Sequence, residues 1–389
     1  MLDGLLVVDL SRALAGPQAA MMLGDLGARV IKVEPPYGDD SRGWGPPFVG
    51  DDGQPQSTYF MCANRNKESV VLDLKDPAGQ AACRDLISRA DVLIENFRAG
   101  VMDRLGLGLG ELRRANPRLI ALSITGFGAA GEMAGRPGYD QIIQGEAGLM
   151  SVTGGLAEGP TKMGVPICDF LAGLYGGYGV LAALYERQRT GAGTVVRTSL
   201  FAAAVAASTF QGTRFTVAGD VPGLTGNQHA AIAPYGTFRC ADGLVQIAVA
   251  SERLWQAFRE YAGLAADDPR WATPAGRLAG RSALTAAIEE AFATRTREMI
   301  VTDLLALGVP AGRIATMDEV FASAPVRDNG MLVEVDQPGV GRIRLPGPAV
   351  TFDGLPIRAH EHPPLLGEHT QDVLAWLYRN PEEAAVDRA

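Results

Sequence analysis

The chain has few cysteines, few histidines and little charge, and it lacks a long apolar run. Its 389 residues include four cysteines, four histidines and 20% charged residues. The cysteines are far apart and form no Cys-x-x-Cys pair, which argues against a disulfide framework or a metal site and favours a reducing compartment, the cytoplasm. The longest apolar run, residues 170–185, contains four glycines and is shorter than the roughly 20 residues of a membrane span. We therefore predict a soluble protein with no membrane partner.

The charge balance and the overall composition exclude further classes of protein. With 35 basic and 44 acidic residues the net charge is −9, and such a surface is a poor partner for nucleic acid. The hydrophobic share of 47% excludes an intrinsically disordered chain. The 48 glycines and 24 prolines occur without a period, so they indicate turns in a globular fold rather than a collagen-like repeat.

Short apolar runs alternate with helical patterns in the first part of the chain. The predicted strands are residues 5–9, 30–33, 69–72, 91–94 and 119–124. The predicted helices are residues 16–27, 77–89, 169–189 and 199–215. Strands that alternate with helices are typical of parallel sheets with right-handed crossovers. The alternation therefore predicts an α/β fold with a doubly wound parallel sheet.

The remaining sequence predicts a second, smaller domain. The stretch at residues 219–226 (GDVPGLTG) is typical of a linker. It separates a large domain, residues 1–218, from a small α+β domain, residues 227–325. The last segment, residues 326–389, contains strand patterns over 331–352 and a final helical pattern over 370–378.

Neither the glycine motif at residues 126–131 nor the histidines indicate a catalytic or cofactor site. Residues 126–131 read Gly-x-Gly-x-x-Gly, but residues 132–140 (EMAGRPGYD) cannot form the helix that a dinucleotide site needs. We therefore interpret the motif as a glycine-rich turn. The histidines do not accompany a nucleophile or further ligands, so nothing supports a hydrolytic triad or a zinc site; they are His229, His360, His362 and His369.

A single carboxylate, Asp169, stands in an apolar stretch just before a long predicted helix. The simpler interpretation is an N-cap, since aspartate is favoured where a helix begins. The functional interpretation is compatible with it. Helix N–H groups and the helix dipole favour an ionised carboxylate, and such a group in a site with little water can act as a nucleophile.

Several polar residues follow predicted strands, where open α/β sheets bind ligands. Asn96, Phe97 and Arg98 come directly after the strand at 91–94, and Lys75 follows the strand at 69–72. The exposed basic side chains are equally explained as solvated surface. Tyr139 is explained equally well as a packed aromatic.

Together these segments resemble the type III CoA-transferases, the CaiB/BaiF family. The matching segments follow one another over nearly the whole chain. They are residues 8–12 (VDLSR), 15–17 (AGP), 26–28 (LGA), 31–34 (IKVE), 66–67 (NK), 72–75 (LDLK), 95–98 (ENFR), 138–140 (GYD), 148–150 (GLM), 164–169 (GVPICD), 308–310 (GVP) and 366–370 (LGEHT). Each segment is weak alone, whereas the ordered set is specific.

The resemblance implies a fold, an assembly and a set of site residues. The family has a large Rossmann-like domain, a smaller domain and a C-terminal segment that returns to the large one. Its subunits form an interlocked homodimer. The family's catalytic aspartate falls on Asp169. Its CoA-binding positions fall on or beside Arg12, Leu14, Ala15, Leu72, Lys75, Asn96, Phe97, Arg98, Arg104 and Tyr139.

The resemblance also implies a reaction. Asp169 would attack an acyl-CoA donor to give an aspartyl–acyl anhydride and then an aspartyl-CoA thioester, and a carboxylic acid acceptor would take the CoA. The CoA thioester is then a substrate, and no permanently bound cofactor is needed. The alternative is an isomerase of the same family, either a 2-methylacyl-CoA racemase or an enzyme that moves CoA within one molecule.

Departures from the family pattern bear on the choice between these activities. The racemases carry a histidine directly after the glycine of the 138–140 motif, where this chain has Tyr139, so a two-base epimerisation lacks a partner. The tetraglycine loop of formyl-CoA transferases is replaced by residues 226–230 (GNQHA), which argues against oxalate as acceptor. Pro35 and Pro137 replace basic residues, and Glu252 loosely matches a racemase acid.

Overall fold

The computed structural model describes residues 1–51, 53–353 and 359–379. The strands are β1 (Leu6–Asp9), β2 (Arg29–Glu34), β3 (Phe48–Val49), β4 (Gln56–Ser57), β5 (Glu68–Val71), β6 (Val92–Glu95), β7 (Ile120–Thr125), β8 (Val195–Ser199), β9 (Tyr235–Cys240), β10 (Gly243–Ala248), β11 (Ala311–Arg313), β12 (Leu332–Gln337) and β13 (Gly341–Pro346).

The α-helices of the described residues are α1 (Ala15–Asp25), α2 (Thr58–Met61), α3 (Pro77–Arg89), α4 (Val101–Arg104), α5 (Leu109–Ala115), α6 (Asp140–Glu146), α7 (Ile167–Thr190), α8 (Leu200–Ala207), α9 (Thr209–Ala218), α10 (Glu252–Tyr261), α11 (Pro274–Ala279), α12 (Arg281–Phe292), α13 (Arg297–Ala306), α14 (Met317–Phe321), α15 (Ala324–Asp328) and α16 (Thr370–Tyr378). Short 3-10 helices lie at Asp40–Gly43 and Met150–Val152.

A six-stranded sheet with the order β5-β2-β1-β6-β7-β8 organises the larger part of the chain. All its neighbouring strands are parallel, with Val7 opposite Val30 on one side and opposite Val92 on the other. The order reverses between β1 and β6, and ligands of open α/β sheets bind at such a switch point. The predicted α/β class with a parallel sheet is confirmed.

Alternate residues of the central strands supply two separate cores. Val7 and Ile94 point into a core with α1, α7 and α8, whereas Val8 and Leu93 point into a core with α3, α5 and α16. Successive side chains of a strand face opposite sides of the sheet, and helices cover both sides here. The strands are therefore buried on both faces, which explains why their sequences are continuous apolar runs.

Helix α7 is the longest helix of the described residues and covers one face of this sheet. By length and composition alone it could cross a membrane, with a mean hydropathy of 1.5, although nearly half of that stretch is buried in the protein. Its glycines permit close packing, since a Cβ at Gly173 would lie 2.6 Å from the carbonyl oxygen of Ala15 in α1.

The predicted helix over 199–215 is wrong in one respect. The structure contains two helices, α8 and α9, because the chain turns at Thr209, whose φ of 43° lies in the left-handed region. The Gly-x-Gly-x-x-Gly segment behaves as expected. It follows β7, and no helix forms before Asp140, so no helix N-terminus is presented to a pyrophosphate.

By its internal contacts the chain divides into two compact units. The first contains Met1–Leu149, Met163–Ala218 and the described residues from Arg327 on, and the second contains Met150–Lys162 and Gly219–Val326. Residues 150–162, which the sequence analysis placed in the large domain, group with the second unit. Of the predicted segment 326–389, residues 354–358 and 380–389 lie outside the described residues.

Each unit has its own arrangement beyond the large sheet. In the first unit α16 packs on β5 and α3, and the His369 N–H donates to the carbonyl oxygen of Ser69 (2.9 Å). An antiparallel pair, β12 and β13, packs its apolar face on Met61. In the second unit an antiparallel sheet, β11-β10-β9, forms a separate core with α10, α12 and α13.

Candidate active site

Asp169 is the third residue of α7, and its own side chain does not cap the helix. The cap comes from Asp140 at the start of α6, whose Oδ1 accepts hydrogen bonds from the N–H groups of Cys168 (2.7 Å) and Asp169 (3.2 Å). The N-cap interpretation of Asp169 is therefore wrong. Helix α7 begins at Ile167, directly after Pro166, and the tertiary fold supplies an acceptor that the local sequence lacks.

A short chain of hydrogen bonds holds Asp140 in place. Gln144, one turn further along α6, donates from Nε2 to Oδ2 of Asp140 (2.6 Å). The Oε1 of Gln144 accepts from the N–H of Met163 (2.8 Å), which lies on the segment leading into α7. Both carboxylate oxygens of Asp140 are therefore engaged, and α6 is tied to the beginning of α7.

The carboxyl group of Asp169 has a strongly shifted acidity. It is half-buried, and no described group donates a hydrogen bond to it. Burial, and then the like charge of Asp140, raise the pKa of Asp169 to about 7. The sequence predicts that the helix N–H groups keep this carboxylate ionised. The structure differs, because the N–H groups of Cys168 and Asp169 donate to Asp140 instead and leave the pKa of Asp169 near neutral.

Tyr59 on α2 lies close enough to the two carboxylates to feel their charge. Burial first, and the negative charge of Asp169 next, raise the pKa of its phenol. The hydroxyl therefore stays protonated and can donate a hydrogen bond. The ring meets Trp44 edge-on, with 4.9 Å between the ring centroids. The side chain of Ser57 caps α2 by accepting from the N–H groups of Tyr59 and Phe60.

The neighbouring thiol is not a competing nucleophile. Cys168 has no exposed surface, and burial, followed by the charges of Asp140 and Asp169, raises the pKa of its thiol to about 12. Thiolate is the reactive form of cysteine, so Cys168 is inert near neutral pH. Among the described residues no group of His, Cys, Asp or Glu is arranged to hold a metal ion.

At the carboxyl edge of the sheet, Asn96 clamps the turn that carries Arg12. Its Oδ1 accepts from the N–H of Arg12 (2.8 Å), and its Nδ2 donates to the carbonyl oxygen of Arg12 (2.8 Å). The guanidinium carbon of Arg12 lies 5.6 Å from the ring centroid of Phe97 and 5.9 Å from the ring centroid of Tyr37. No carboxylate of the described residues pairs with Arg12, so this half-buried cation keeps its charge available for an anion.

The other predicted site residues differ in their exposure. Leu14, Ala15 and Leu72 are buried in the cores, so only their backbone atoms are available to a ligand. The side chains of Lys75, Arg98 and Arg104 are exposed and form no ion pair within the part of the chain that the structure describes. Tyr139 is 65% exposed beside Asp140. Glu252 lies in the second unit and pairs with Arg277.

Comparison with known proteins identifies the family. The profile of CoA-transferase family III matches residues 2–370. The chain belongs to this family. It is therefore an enzyme that transfers CoA, and its substrates are a CoA thioester and a carboxylate. The resemblance found in the sequence is confirmed.

Named relatives of this family III CoA-transferase cover nearly its whole length. Succinyl-CoA:glutarate CoA-transferase of Mus musculus is 36% identical over 98% of this chain and 88% of the mouse protein. Succinate–glutarate CoA-transferase of Agrobacterium fabrum is 39% identical over 97% of this chain and 95% of its own. A crystal structure of a CaiB/BaiF family protein from Brucella suis aligns with a TM-score of 0.87 at 39% identity, over 97% of this chain and 99% of that one.

The sequence analysis missed three residues of this site. Asp140 was noted only as part of a motif, and Trp44 and Tyr59 were not considered. A sequence signal was available for Trp44 alone. It lies in residues 35–56, a segment dense in glycine and proline, and a loop as long as this is usually functional. Only the fold brings Asp140 to the N–H of Asp169 and places Tyr59 within the influence of the Asp169 charge.

Proposed function

We propose that this enzyme moves CoA between carboxylic acids with Asp169 as the nucleophile. The observation that carries the proposal is the Asp169 carboxyl group itself. It is half-buried at the opening of α7, it accepts no hydrogen bond from a described group, and its pKa is about 7. A carboxylate that is neither paired nor fully solvated is a reactive nucleophile.

The reaction proceeds by two acyl exchanges on the same side chain. A carboxylate oxygen of Asp169 attacks the thioester carbonyl carbon, the C–S bond breaks, and CoA leaves as a thiolate with an aspartyl–acyl anhydride behind it. The thiolate attacks the aspartyl carbonyl, which releases the donor acid and leaves an aspartyl-CoA thioester. The acceptor carboxylate then repeats both steps in reverse order. The thioester bond energy is conserved throughout, so no nucleotide is hydrolysed.

The surrounding residues stabilise the negative charge of the reaction intermediates and of the CoA phosphates. Tyr59 keeps its proton and lies within the electrostatic influence of Asp169, and we assign its hydroxyl as a donor to the oxyanion of a tetrahedral intermediate. Arg12, Lys75, Arg98 and Arg104 supply positive charge for the phosphates of CoA. Asn96 fixes the Arg12 backbone, Phe97 and Tyr139 offer aromatic surface, and Leu14, Ala15 and Leu72 offer backbone groups.

We propose dicarboxylic acids as the substrates, with succinyl-CoA as donor. The support is the names of the relatives, which transfer CoA between succinate and glutarate. We keep the cytoplasm as the proposed compartment. The four cysteines, Cys62, Cys83, Cys168 and Cys240, are free in the structure, as a reducing compartment requires.

Trapping of the acyl-enzyme tests this proposal directly. We would mix the protein with succinyl-CoA, glutaryl-CoA or acetyl-CoA, quench with hydroxylamine and analyse the peptides by mass spectrometry. Hydroxylamine converts an activated carboxyl group into a hydroxamate, and we expect it on Asp169 with the true donor. CoA binding without any hydroxamate would overturn the proposal. Exchange of the α-proton in deuterated water would then identify a racemase.

We also propose that a second copy of the chain covers the outer face of α7. Large apolar side chains line this face at helical spacing and are exposed. They are Phe170, Leu174, Tyr178, Leu181 and Tyr185, with Tyr178 and Tyr185 exposed by 71% and 77%. Exposed apolar surface of this extent is typical of an interface, and a homodimer interface is the expected use in a symmetric assembly.

Charges on this face should therefore break the dimer. We expect the double substitution Tyr178→Asp and Tyr185→Asp to shift the molar mass from dimer to monomer in light scattering after gel filtration, because two desolvated carboxylates are costly at an interface. The control is Tyr378→Asp on α16, an exposed tyrosine outside this face, which should leave the dimer intact. A monomeric native protein would contradict the assembly.

A further inference from the structure

The β1–α1 turn, residues 10–14, is held by side chains of β2 and of the segment that follows β2. The N–H of Ala13 donates to Oδ1 of Asp39 (3.1 Å), and the carbonyl oxygen of Ser11 accepts from Nζ of Lys32 (2.9 Å). Ala13 has a φ of 66°, which an alanine rarely adopts without outside support. Arg12 lies between these two anchored residues.

Lys32 and Asp39 form a single buried unit. Nζ of Lys32 donates to Oδ2 of Asp39 (2.9 Å), and neither side chain has exposed surface. Burial opposes ionisation of Asp39, but the Lys32 ammonium overcomes it and lowers the pKa of Asp39 to about 2. The pair therefore remains ionised, and each partner also holds one backbone group of the turn.

A second buried pair supports the other side of the same turn. Nζ of Lys67 donates to Oδ2 of Asp9 and to the carbonyl oxygen of Pro17 in α1, each at 2.9 Å. Oδ1 of Asp9 accepts from the N–H of Ser11 (2.9 Å). The turn and the first turn of α1 are thus connected to two ion pairs that no solvent reaches.

Buried ion pairs of this kind contribute little to stability by themselves. Desolvation of two charges offsets most of their attraction, and an apolar pair of similar volume is often as stable. What an apolar pair cannot do is donate to Ser11 or accept from Ala13. The bonds to the turn are therefore the distinctive contribution of Lys32 and Asp39.

We propose that Lys32 and Asp39 are positioning residues that set the β1–α1 turn for CoA, and that they act through Arg12. This inference rests on the proposed function, in which Arg12 meets a CoA phosphate. Neither side chain touches the substrate, because both are completely buried. Their effect is to fix Ser11 and Ala13 on either side of Arg12, whose own backbone Asn96 holds, before the ligand arrives, which reduces the ordering cost of binding.

The test replaces the pair by apolar residues, with Lys32→Met and Asp39→Leu combined. We expect KM for the CoA thioester to rise about tenfold while kcat changes less than about threefold, because binding loses a pre-ordered contact and the chemistry at Asp169 does not. If this variant does not fold, Lys32→Met with Asp39→Asn retains the acceptor for Ala13 and should show a smaller rise in KM.

The control removes a different, partly exposed ion pair of β2 that does not contact the turn. Arg29 on β2 pairs with Glu68 on β5 at 2.8 Å, at the opposite end of the strands from the turn. Arg29→Met with Glu68→Gln should lower stability without raising KM. Equal increases in KM for both double variants would show a general structural effect and overturn the proposal.

Two further measurements separate this proposal from the proposed function. In an Arg12→Ala background the Lys32/Asp39 substitutions should add less than a twofold increase in KM, because residues that act through one another are not additive. Independent additive losses would overturn the role through Arg12. Hydrogen–deuterium exchange of the turn should increase in the apolar variant even if the protein transfers no CoA, and unchanged exchange would overturn the positioning role itself.

Discussion

Asp169→Asn is expected to reduce CoA transfer by at least about 1,000-fold, because asparagine cannot form the anhydride or the thioester. The substitution conserves the shape of the side chain and leaves its backbone N–H free to donate to Asp140. The affinity for CoA should stay within about threefold of the native value, since Arg12 and its turn are unchanged. Initial rates with succinyl-CoA and calorimetry with CoA measure the two effects.

The pH dependence of the free energy of unfolding provides the control that Asp169→Asn is folded. Asp169 has a raised pKa in the folded chain, so its protonated form is favoured there, and its contribution to stability is lost as the pH rises from about 4 to about 7. Asp169→Asn should therefore raise the free energy of unfolding by up to about 4 kcal/mol at pH 8 and leave it unchanged at pH 3. Transfer above about a tenth of the native rate would place the nucleophile elsewhere.

The second large effect is expected at Asp140, where two substitutions separate its two roles. Asp140→Ala removes the acceptor for the N–H groups of Cys168 and Asp169 as well as the charge. Loss of a cap costs about 1 kcal/mol, and the first turn of α7 carries Asp169, the proposed nucleophile. We expect kcat/KM to fall at least about tenfold above pH 8, where Asp169 is ionised with or without Asp140, because misplacement of a reacting group by small distances is costly.

Asp140→Asn keeps an oxygen acceptor for the N–H groups of Cys168 and Asp169 and removes the charge, and it also replaces the oxygen that accepts from Gln144 by a donor. Because Asp140 raises the pKa of Asp169, the rise of kcat/KM with pH, expected near pH 7 in the native enzyme, should move to lower pH by at least about half a unit. Above pH 8 the rate should stay within about threefold of the native one, because the nucleophile is ionised in both. An unchanged midpoint would mean that Asp140 does not act on Asp169 by charge.

Periodicity revealed much of the fold before any coordinates. The apolar run at residues 5–9 and the helical spacing at 16–27 correspond to β1 and α1, because a strand buried on both faces must be apolar throughout. Helix α7 was evident because its predicted span, residues 169–189, is long and rich in alanine, leucine and glycine. The break between α8 and α9 was not evident, since an alanine-rich segment gives no local signal of the turn at Thr209.

The candidate site was only partly visible in the sequence. Asp169 stood out because a lone carboxylate in an apolar stretch is unusual. The cap of α7 did not stand out, because Asp140 lies 29 residues before Asp169 in the sequence and aspartate is common at the start of any helix. Tyr59 was missed for a similar reason, since an aromatic residue is by default a core residue.

The sequence by itself determined the α/β class and the family, and it singled out Asp169 as the proposed nucleophile. These follow from local periodicity and from the order of short motifs, both of which are properties of neighbouring residues. Only the tertiary structure decided the acidity of Asp169, which depends on burial and on the Asp140 carboxylate. It also decided the support of the β1–α1 turn by Lys32 and Asp39. Electrostatic and hydrogen-bond partners are set by distance in space, and the chain brings them together only when it folds.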